Sequence, residues 1–336
     1  MGGKSSAKLK ILYLMDIFIS KTDEENILTA NELCCELEKN YGITAERKSI
    51  YADIETLQEY GMDIIFVRNH KKGYFLGQRD YELAEIRLLI DAVQSAKFIT
   101  HKKTKELVEK INKQVSNSQK EMLESQIYID NRVKCVNEEI YYNIDVLNRA
   151  ISGQKKVELV YIKHSVGSER EVKREEKELC VNPYVLIWSN DHYYLVGNNP
   201  KYENLMHLRI DRMKKVTILN EQSRHFSEVS DFTCKFDAAV YAQNVFNMYT
   251  GEIIDVELVC KNELIDNIID RFGNDVIIKY HDRSSFFVRH RAAMSEGLIS
   301  WILQYGGMIK VIKPAILRDA ILSKAKSITE IYKGTT

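Results

Sequence analysis

Two arginines near the middle of the chain offer the most specific chemistry in the sequence. Arg209 lies in Leu205–Asp211, where apolar and polar residues alternate as in a β-strand. Side chains two apart share one face of a strand, so Arg209 and His207 lie opposite an apolar face, and Arg212 follows the strand end. A guanidinium group can bind two phosphate oxygens, and a nearby aromatic ring can stack on a base. These residue types therefore suit a site for a phosphate-bearing ligand.

An internal ion pair is the alternative role for both arginines, Arg209 and Arg212. Burying an arginine in a strand is costly unless its charge is paired. Asp211, Glu178 and Glu158 are the acidic residues that we consider as partners. Spacing alone favours neither role. The scattered histidines of this region are typical of exposed or locally hydrogen-bonded side chains, so we predict no metal site.

Five predicted strands position these residues. They are Lys156–Lys163, Glu178–Trp188, His192–Gly197, Leu205–Asp211 and Val216–Leu219. The charged segment His164–Lys177 between the first two strands is predicted to be a long loop. One helix followed by these strands predicts a small, strongly bent β-barrel of the Sm or SH3 type.

The first 78 residues have the pattern of a DNA-binding element. The predicted helices are Ala7–Ser20, Ala30–Asn40 after the N-cap Thr29, and Ala45–Tyr60 after the N-cap Thr44, and the predicted strands are Asp63–Arg68 and Tyr74–Gly77. This is the plan of a winged helix-turn-helix, whose third helix enters the major groove while the hairpin follows the phosphate backbone. The predicted DNA contacts are Arg47, Lys48, Ser49 and Tyr51 of the third helix, and Arg68, His70, Lys71 and Lys72 of the hairpin.

The overall charge gives no general attraction to nucleic acid. The chain has 48 Lys and Arg residues and 48 Asp and Glu residues, so any DNA contact depends on a local basic patch. The third predicted helix also carries Glu46, Asp53, Glu55 and Glu59, which make it nearly neutral. A winged helix that binds a protein partner in place of DNA is therefore the alternative.

Length and composition limit the remaining classes of protein. With 336 residues, of which 45% are hydrophobic, the chain predicts an α+β protein with several domains. Its six cysteines form no CxxC pair, which suits the reducing cytoplasm. The sequence has no glycine-rich phosphate loop, nucleophile elbow or HExxH helix, so we predict neither an enzyme nor a bound cofactor. No stretch is long and apolar enough to predict a membrane partner.

Residues 79–152 are predicted to form helices with apolar stripes that must be covered. These helices are Asp80–Thr100, Thr104–Val115, Ser118–Asp130 and Glu138–Ser152. A regulator that reads two half-sites of DNA works as a two-fold dimer. We therefore assign part of this helical linker to a homodimer interface.

Residues 226–336 follow the order β-α-β-β-α-β, which predicts a ferredoxin-like domain. The predicted strands are Ile253–Cys260, Val276–Tyr280, Phe286–Ala292 and Met308–Ile312, and the helices are Asn262–Phe272, Ser295–Tyr305 and Ala315–Tyr332. Arg289 and Arg291 share one face of a strand. They are candidates for ligand contact, and solvent exposure explains them equally well.

Three motifs in a fixed order resemble the WYL domain of bacterial transcription regulators. A Pro-Tyr pair and a hairpin precede Tyr193–Leu195, which stands at the triplet that names the family and is followed by Val-Gly. Leu208–Met213, with the sequence LRIDRM, matches the strand that follows in the family. Tyr193 replaces the tryptophan of the family triplet, and another large aromatic residue is thereby retained.

Two further segments carry resemblances on either side. Ser49–Ile54 resembles the recognition helix of DeoR-like regulators, although Tyr51 and Ala52 replace two arginines that contact phosphates. Near the C-terminus, Trp301, a Gly-Gly pair and Pro314 resemble the extension that commonly follows WYL domains. Together the resemblances cover nearly the whole chain.

The resemblances imply a cytoplasmic, homodimeric DNA-binding regulator of transcription whose WYL domain senses a nucleotide or oligonucleotide. The implied ligand-binding residues are Tyr161, Tyr193, His207, Arg209 and Arg212. The implied domains are a winged helix-turn-helix at 1–78, a helical linker at 79–152, a WYL domain at 153–225 and its ferredoxin-like extension at 226–336. The alternative is a nucleotide-sensing adaptor whose winged helix binds a protein and not double-stranded DNA.

Overall fold

A computed structural model of the protein describes residues 3–68, 71–126, 134–167, 171–233, 236–274 and 276–333. The chain divides into two compact units, Met1–Val136 and Asn137–Thr336. Each unit has hydrophobic core clusters of its own. Among the helices of the described residues, none is both long and apolar enough to cross a membrane.

The first unit begins with three helices and a β-hairpin. These are α1 (Gly3–Lys21), α2 (Ala30–Tyr41), α3 (Arg47–Glu59), β1 (Ile64–Val67) and β2 (Gly73–Leu76). The two strands pair antiparallel. One core joins all five elements, because each helix buries its apolar stripe. The core includes Leu14, Phe18, Leu33, Leu37, Ile50, Ile54, Leu57, Ile64 and Leu76.

A capping box fixes the start of α2, as the sequence predicts. The hydroxyl of Thr29 accepts the backbone N–H of Glu32, and the carboxylate of Glu32 accepts the backbone N–H of Thr29 at 2.7 Å. Gly42 ends the helix in a left-handed conformation, with φ of 64°. The Glu32 carboxylate also pairs with Lys71 at 2.8 Å. This contact ties the beginning of α2 to the hairpin.

The start of α3 differs from the prediction. The helix begins at Arg47, and Thr44 does not cap it. Its first turn closes on the carbonyl of Glu46, which accepts the backbone N–H of Ser49 at 2.9 Å. Glu46 supplies no side-chain cap, so the first N–H groups of α3 remain open at the protein surface.

Three more helices complete the first unit. They are α4 (Leu83–Ser95), α5 (His101–Asn112) and α6 (Asn117–Gln126). Their apolar residues form a second small core that includes Ile86, Ile90, Val115 and Leu123. The predicted continuation of α6 to residue 130 lies outside the described residues. Arg79 anchors the chain ahead of α4 by donating to the carbonyl groups of Ile19 and Thr22.

The second unit opens with a helix and a five-stranded antiparallel sheet. The elements are α7 (Ile140–Ser152), β3 (Lys155–Val166), β4 (Val172–Ser189), β5 (His192–Asn198), β6 (Leu205–Arg209) and β7 (Met213–Gln222). The spatial order of the strands is β6-β5-β4-β3-β7. The segment 164–177 is not a long loop, because β3 and β4 remain paired out to Val166 opposite Val172. Its charged side chains are exposed along this ribbon, where water solvates them.

A bend divides β4 into two halves. The first half pairs with β3 as far as Val181, and the second half pairs with β5 from Asn182 onwards. The register shifts between Pro183 and Val185, where a proline fits because it has no N–H to donate to a ladder. The two strands are so close at this bend that a Cβ on Gly197 would lie 2.6 Å from the carbonyl oxygen of Asn182. Only glycine fits there without movement of the backbone.

The five strands do not close into the predicted barrel. In the described residues β6 and β7 are the two edges of the sheet, and the 3₁₀ turn Ile210–Arg212 connects them. After this turn β7 pairs with β3 and not with β6. The sheet is open, so the prediction of a barrel is wrong in this respect.

The rest of the second unit forms a four-stranded antiparallel sheet with helices. Its elements are α8 (Ala238–Asn244), β8 (Ile253–Lys261), α9 (Ile265–Phe272), β9 (Ile277–Asp282), β10 (Ser285–Ala293), α10 (Glu296–Gln304), β11 (Ile309–Lys313) and α11 (Ala315–Lys333). From β8 onwards the chain order is β-α-β-β-α-β, followed by α11, and the spatial order of strands is β11-β8-β10-β9. Aromatic side chains join α8 to the five-stranded sheet, where Phe236 and Tyr241 share a core with Tyr184, Ile187 and Val196.

Candidate ligand site and nucleic-acid interface

Arg209 forms a two-point ion pair with a neighbour in its own chain. Its Nε donates to Oδ1 of Asp211 at 3.0 Å, and its Nη2 donates to Oδ2 at 2.6 Å. The side chains are 24% and 11% exposed. Burial acts to lower the pKa of Arg209, but the hydrogen bonds and negative charge of Asp211 outweigh it and raise the pKa. The ion pair that the sequence offered as an alternative is therefore present for this arginine.

Arg212 differs from Arg209 in having no such partner. It ends the 3₁₀ turn, it is half-buried, and it makes no hydrogen bond or ion pair with any residue that the structure describes. Burial raises the pKa of Tyr194, and the positive charges of Arg209 and Arg212 act against that rise. Arg212 is thus a cation close to the same tyrosine as Arg209, with its guanidinium available to an anion.

Two tyrosines flank the arginines, and the sequence identified one of them. The hydroxyl of Tyr161, which is 7% exposed, accepts the backbone N–H of Arg209 at 3.3 Å. Tyr194 lies directly opposite Arg209 in the β5–β6 ladder. Tyr193 pairs with Trp188 on the other side of β5, and its side chain points to the opposite face from that of Tyr194. The structure therefore brings Tyr194, which the sequence did not nominate, to the arginines in place of Tyr193.

His207 is held inside the second unit by both ring nitrogens. Nδ1 contacts the carbonyl oxygen of Met248, and Nε2 lies 2.7 Å from the hydroxyl of Tyr241. A carbonyl can only accept, so Nδ1 donates and Nε2 accepts the tyrosine proton. Burial lowers the pKa of His207, which favours this neutral form. His207 ties β6 to α8, and neither nitrogen is left for a ligand.

Two further arginines of the C-terminal part have acidic neighbours. Arg289 lies 3.6 Å from Asp255, and Arg291 lies 3.9 Å from Asp231, with all four side chains more than half exposed. Arg291 also lines a cavity of about 710 Å³ beside α8. Several carboxylates line that cavity with it, so the cavity lacks the positive charge that would hold a phosphate.

The surface of α3 separates basic and apolar residues. Arg47 and Lys48 are exposed, and Tyr51 is exposed beside them. Ile50 and Ile54 are buried on the opposite face. The basic groups that the sequence predicts on this helix therefore stand in solvent, at the uncapped beginning of the helix.

Lys10 of α1 neutralises an acidic residue of α3. Its ammonium group lies 2.7 Å from Oδ2 of Asp53, and both side chains are less than one-fifth exposed. Lys10 also donates to the hydroxyl of Ser49. Ser49 is thus engaged within the unit, and Asp53 adds little net negative charge to the helix surface. Lys10 could not be identified from the sequence, because residues 39 or more positions apart cannot be paired from spacing.

The hairpin places an aromatic cluster next to α3. The cluster consists of Tyr51, Phe66 and Tyr74, with ring centroids 6.4 Å apart between the tyrosines and 4.8 Å apart between Phe66 and Tyr74. The guanidinium of Arg68 lies 5.9 Å from the Phe66 ring, within range of a cation–π contact. Lys72 is exposed near the turn. The predicted contact His70 lies outside the described residues.

No metal centre is present in the residues that the structure describes. They contain no group of three or more His, Cys, Asp or Glu side chains that could hold an ion. The cysteines among them, Cys34, Cys35, Cys135, Cys180 and Cys260, are free thiols. The candidate surfaces described above consist of arginine, lysine and aromatic groups.

Two domain families match the second unit. The WYL domain matches residues 142–218, and the WCX domain matches residues 252–329. The chain therefore contains a WYL domain and a WCX domain, and the five predicted ligand residues all lie within the WYL match. Residues 1–141 fall outside both matches.

Comparison with whole proteins adds little. None of the curated proteins matches the chain. Among solved structures, the proteasome accessory factor B/C (PafBC) of Arthrobacter aurescens is similar at 13% identity, with a TM-score of 0.28 over 94% of this chain and 47% of that chain. The chain thus spans about half the length of that structure. A likeness at this TM-score supports no conclusion about fold or function.

Proposed function

We propose that this protein is a ligand-responsive, DNA-binding regulator of transcription. In this proposal α1, α2, α3 and the hairpin form a winged helix on an operator, and the WYL domain senses a phosphate-bearing nucleotide or oligonucleotide. One observation carries the DNA part: α3 buries Ile50 and Ile54 while it exposes Arg47, Lys48 and Tyr51. The proposal assigns the chain no catalytic step.

The local geometry of α3, and not the overall charge of the chain, supports DNA binding. The 13 residues of α3 form a helix of about 20 Å, which suits the major groove. The net charge of the chain is zero, so affinity must come from the basic groups on α3 and the hairpin. Neutralisation of Asp53 by Lys10 removes one repulsive charge from that surface.

Binding to the intergenic DNA upstream of its own gene tests the DNA part. Replacing both Arg47 and Lys48 with alanine removes two cations. Each lost phosphate contact reduces the slope of log K against log salt by about 0.9, so we expect weaker binding and a slope smaller by about 2. Electrophoretic shifts at several salt concentrations measure both quantities.

A double variant of α5 is the matched control. Lys105→Ala with Lys110→Ala removes the same charge from exposed positions of another helix. We expect it to keep the affinity and the slope of the wild-type protein. If the α3 variant behaves like this control, α3 does not bind DNA in the proposed way.

Exposed apolar residues on the hairpin favour the second candidate, a winged helix that binds a protein. Ile65 is 38% exposed and Phe66 is 44% exposed on β1, and such residues are typical of protein interfaces. The same experiment separates the candidates. A protein-binding winged helix predicts no salt-dependent shift with either the wild-type chain or the control.

The sensing part of the proposal rests on Arg212. A half-buried guanidinium without a partner in the described residues is a suitable anchor for an anion, and Tyr194 adjoins it as a ring for stacking. We propose that a ligand at this place changes the DNA affinity of a homodimer by favouring one of two states. That dimer brings two winged helices to two half-sites.

A further inference from the structure

The four-stranded sheet of the second unit has one face packed by helices and another face that is mostly exposed. Leu258 and Val288 point to the packed face, where they share a core with residues of α9, α10 and α11. Their chain neighbours point to the other side, where α8 covers the end at Ala293. We call the rest of that side the open face, and its central residues are Val259, Ile277, Lys279, Phe287, Arg289 and Lys310.

One row of side chains crosses the open face from edge to edge. The strands lie in the order β11-β8-β10-β9. Val259 lies opposite Lys310 on one side and opposite Phe287 on the other. Phe287 in turn lies opposite Lys279 on β9. Neighbouring strands are about 4.8 Å apart, so the Cα atoms of the two lysines are about 14 Å apart. The row therefore places an aromatic ring and an apolar side chain between two cations.

The side chains of this row can be reached from solvent. Lys279 and Lys310 are exposed, and Phe287 and Val259 are half-buried. Ile277, in the next row, is more than half exposed. Phe287 is not part of the core that its neighbours Phe286 and Val288 form with the helices. A flat ligand can therefore lie on the Phe287 ring without displacing any part of the core.

The open face carries a net positive charge, although the chain as a whole has none. Its two carboxylates are paired with cations of the same face: Asp255 lies 3.6 Å from Arg289, and Glu257 lies 3.3 Å from Lys313. Lys279 and Lys310 have no ion pair with a residue that the structure describes. These two ammonium groups are therefore available to anions on either side of the Phe287 ring.

We propose that the open face binds single-stranded nucleic acid. One base stacks on Phe287 and packs against Val259, and the phosphates on its two sides contact Lys279 and Lys310. Exposed rings on a four-stranded sheet bind unpaired bases of RNA in this way, and a basic surface with a stacking ring suits either RNA or DNA. An acidic peptide would pair with the lysines, but its carboxylates would leave the ring uncovered.

This site is separate from the other two binding surfaces. Arg212 lies beside the five-stranded sheet, and the open face belongs to the four-stranded sheet. The residues of the open face fall within the WCX match, whereas Arg212 falls within the WYL match. The inference therefore depends neither on nucleotide sensing at Arg212 nor on DNA binding by α3.

Fluorescence anisotropy on the full-length chain tests the proposal. The probes are labelled oligothymidylate and oligouridylate of about 12 nucleotides. We expect at least one to bind with a Kd below about 100 µM at about 50 mM salt. Phe287→Ala keeps the lysines and removes the ring, so we expect affinity about 5–150-fold weaker. The tighter of the two probes identifies the ligand as RNA or DNA.

The lysines are tested by the dependence of binding on salt. Each phosphate contact of a single strand contributes about 0.7 to the slope of log K against log salt. Lys279→Ala combined with Lys310→Ala should therefore reduce this slope by about 1.4. An unchanged slope in the double variant overturns the proposed phosphate contacts.

Tyr280→Ala is the matched control for the ring. Tyr280 is an exposed aromatic residue next to Lys279, but it lies opposite Phe286 and points to the other face. This variant should bind both probes like the wild-type chain, as should Arg212→Ala. If Arg212→Ala loses binding while Phe287→Ala keeps it, the oligonucleotide binds at the sensing site and the proposal is wrong.

Three further outcomes overturn the proposal. They are no binding of either probe at about 100 µM protein, equal affinity of Phe287→Ala and the wild-type chain, and equal affinity for an oligoglutamate of the same charge. The last result would mean that charge alone explains the binding. If Phe287→Ala does not fold, Phe287→Leu decides, because leucine fills the position without a ring and unchanged affinity would again exclude stacking.

Discussion

Two arginines that look alike in the sequence differ in the structure, because a carboxylate pairs with only one of them. Arg209 is neutralised by Asp211 two residues away, whereas Arg212 lacks a partner in the described part of the chain. Releasing Arg209 for a ligand would leave a mostly buried carboxylate uncompensated, which is costly. Arg212 can bind an anion without that cost. The sensing proposal therefore depends first on Arg212, and on Arg209 only as a support for the turn.

Arg212→Ala should weaken binding of a 5′-phosphorylated dinucleotide by about tenfold or more, because a charge-assisted hydrogen bond contributes about 1.5–3 kcal/mol. Titration calorimetry measures the change. Lys201→Ala is the control, since Lys201 is an exposed cation in the loop before β6. Equal losses in both variants would show a non-specific charge effect and would remove Arg212 from the proposed site.

His207 predicts a loss of stability in mild acid. In the unfolded chain its pKa is about 6.5, and burial lowers this pKa in the folded chain. The unfolded state therefore binds the proton more readily, so the contribution to stability is present above about pH 6.5 and decreases as pH falls through the interval between the two pKa values. His290, whose pKa is also lowered by burial, acts in the same direction.

Replacing His207 with Gln should reduce this pH dependence. Melting temperatures between about pH 7.5 and about pH 5.5 measure it. His164→Gln, at an exposed position of β3, should keep the wild-type decrease. A wild-type decrease that persists unchanged in His207→Gln would mean that the protonation of another group causes it.

Among the secondary-structure elements, α2 connects the core of the first unit to its hairpin. Glu32 completes the capping box and also binds Lys71. Thr29→Ala removes the hydroxyl cap and should reduce the stability of this region by about 1 kcal/mol. Hydrogen exchange of the α2 amides reports the loss locally. Thr29→Ser keeps the hydroxyl and should preserve the protection of the wild-type amides; protection lost equally in both variants would exclude the cap as the cause.

Patterns within one element could be predicted from the sequence, and relations between elements could not. The capping box at Thr29 was predictable because its two partners are three residues apart. The pairing of Tyr194 with Arg209 depends on the register of β5 and β6, and a shift by one residue selects Tyr193 instead. That β6 and β7 remain two open edges likewise follows from which strands pair, and residue spacing does not determine that pairing. The contact between Lys10 and Asp53 joins two helices that no local pattern connects.

For the whole molecule, the proposed function requires that two binding events influence each other. By thermodynamic linkage, a ligand that changes DNA affinity must have its own affinity changed by DNA by the same factor. For the 5′-phosphorylated dinucleotide we expect each affinity to change by a factor of about 5–150. Sedimentation experiments should show two chains bound to each operator. Measuring DNA affinity with and without this ligand, and ligand affinity with and without DNA, tests the reciprocity.

Arg212→Ala should abolish the coupling while leaving DNA affinity intact. Coupling that persists in this variant places the sensing site elsewhere.

Gly197 shows how a residue without a functional group can constrain a binding site. It occupies the point where β4 bends against β5, and a Cβ there would collide with the carbonyl oxygen of Asn182. The strand would have to move away, and three positions earlier that strand carries Tyr194 opposite Arg209. In a deep mutational scan that selects for regulation, we would therefore expect position 197 to tolerate as few substitutions as Arg212. Intolerance to substitution at position 197 would reflect the close approach of two strand backbones. It is easily mistaken for evidence that the residue contacts the ligand.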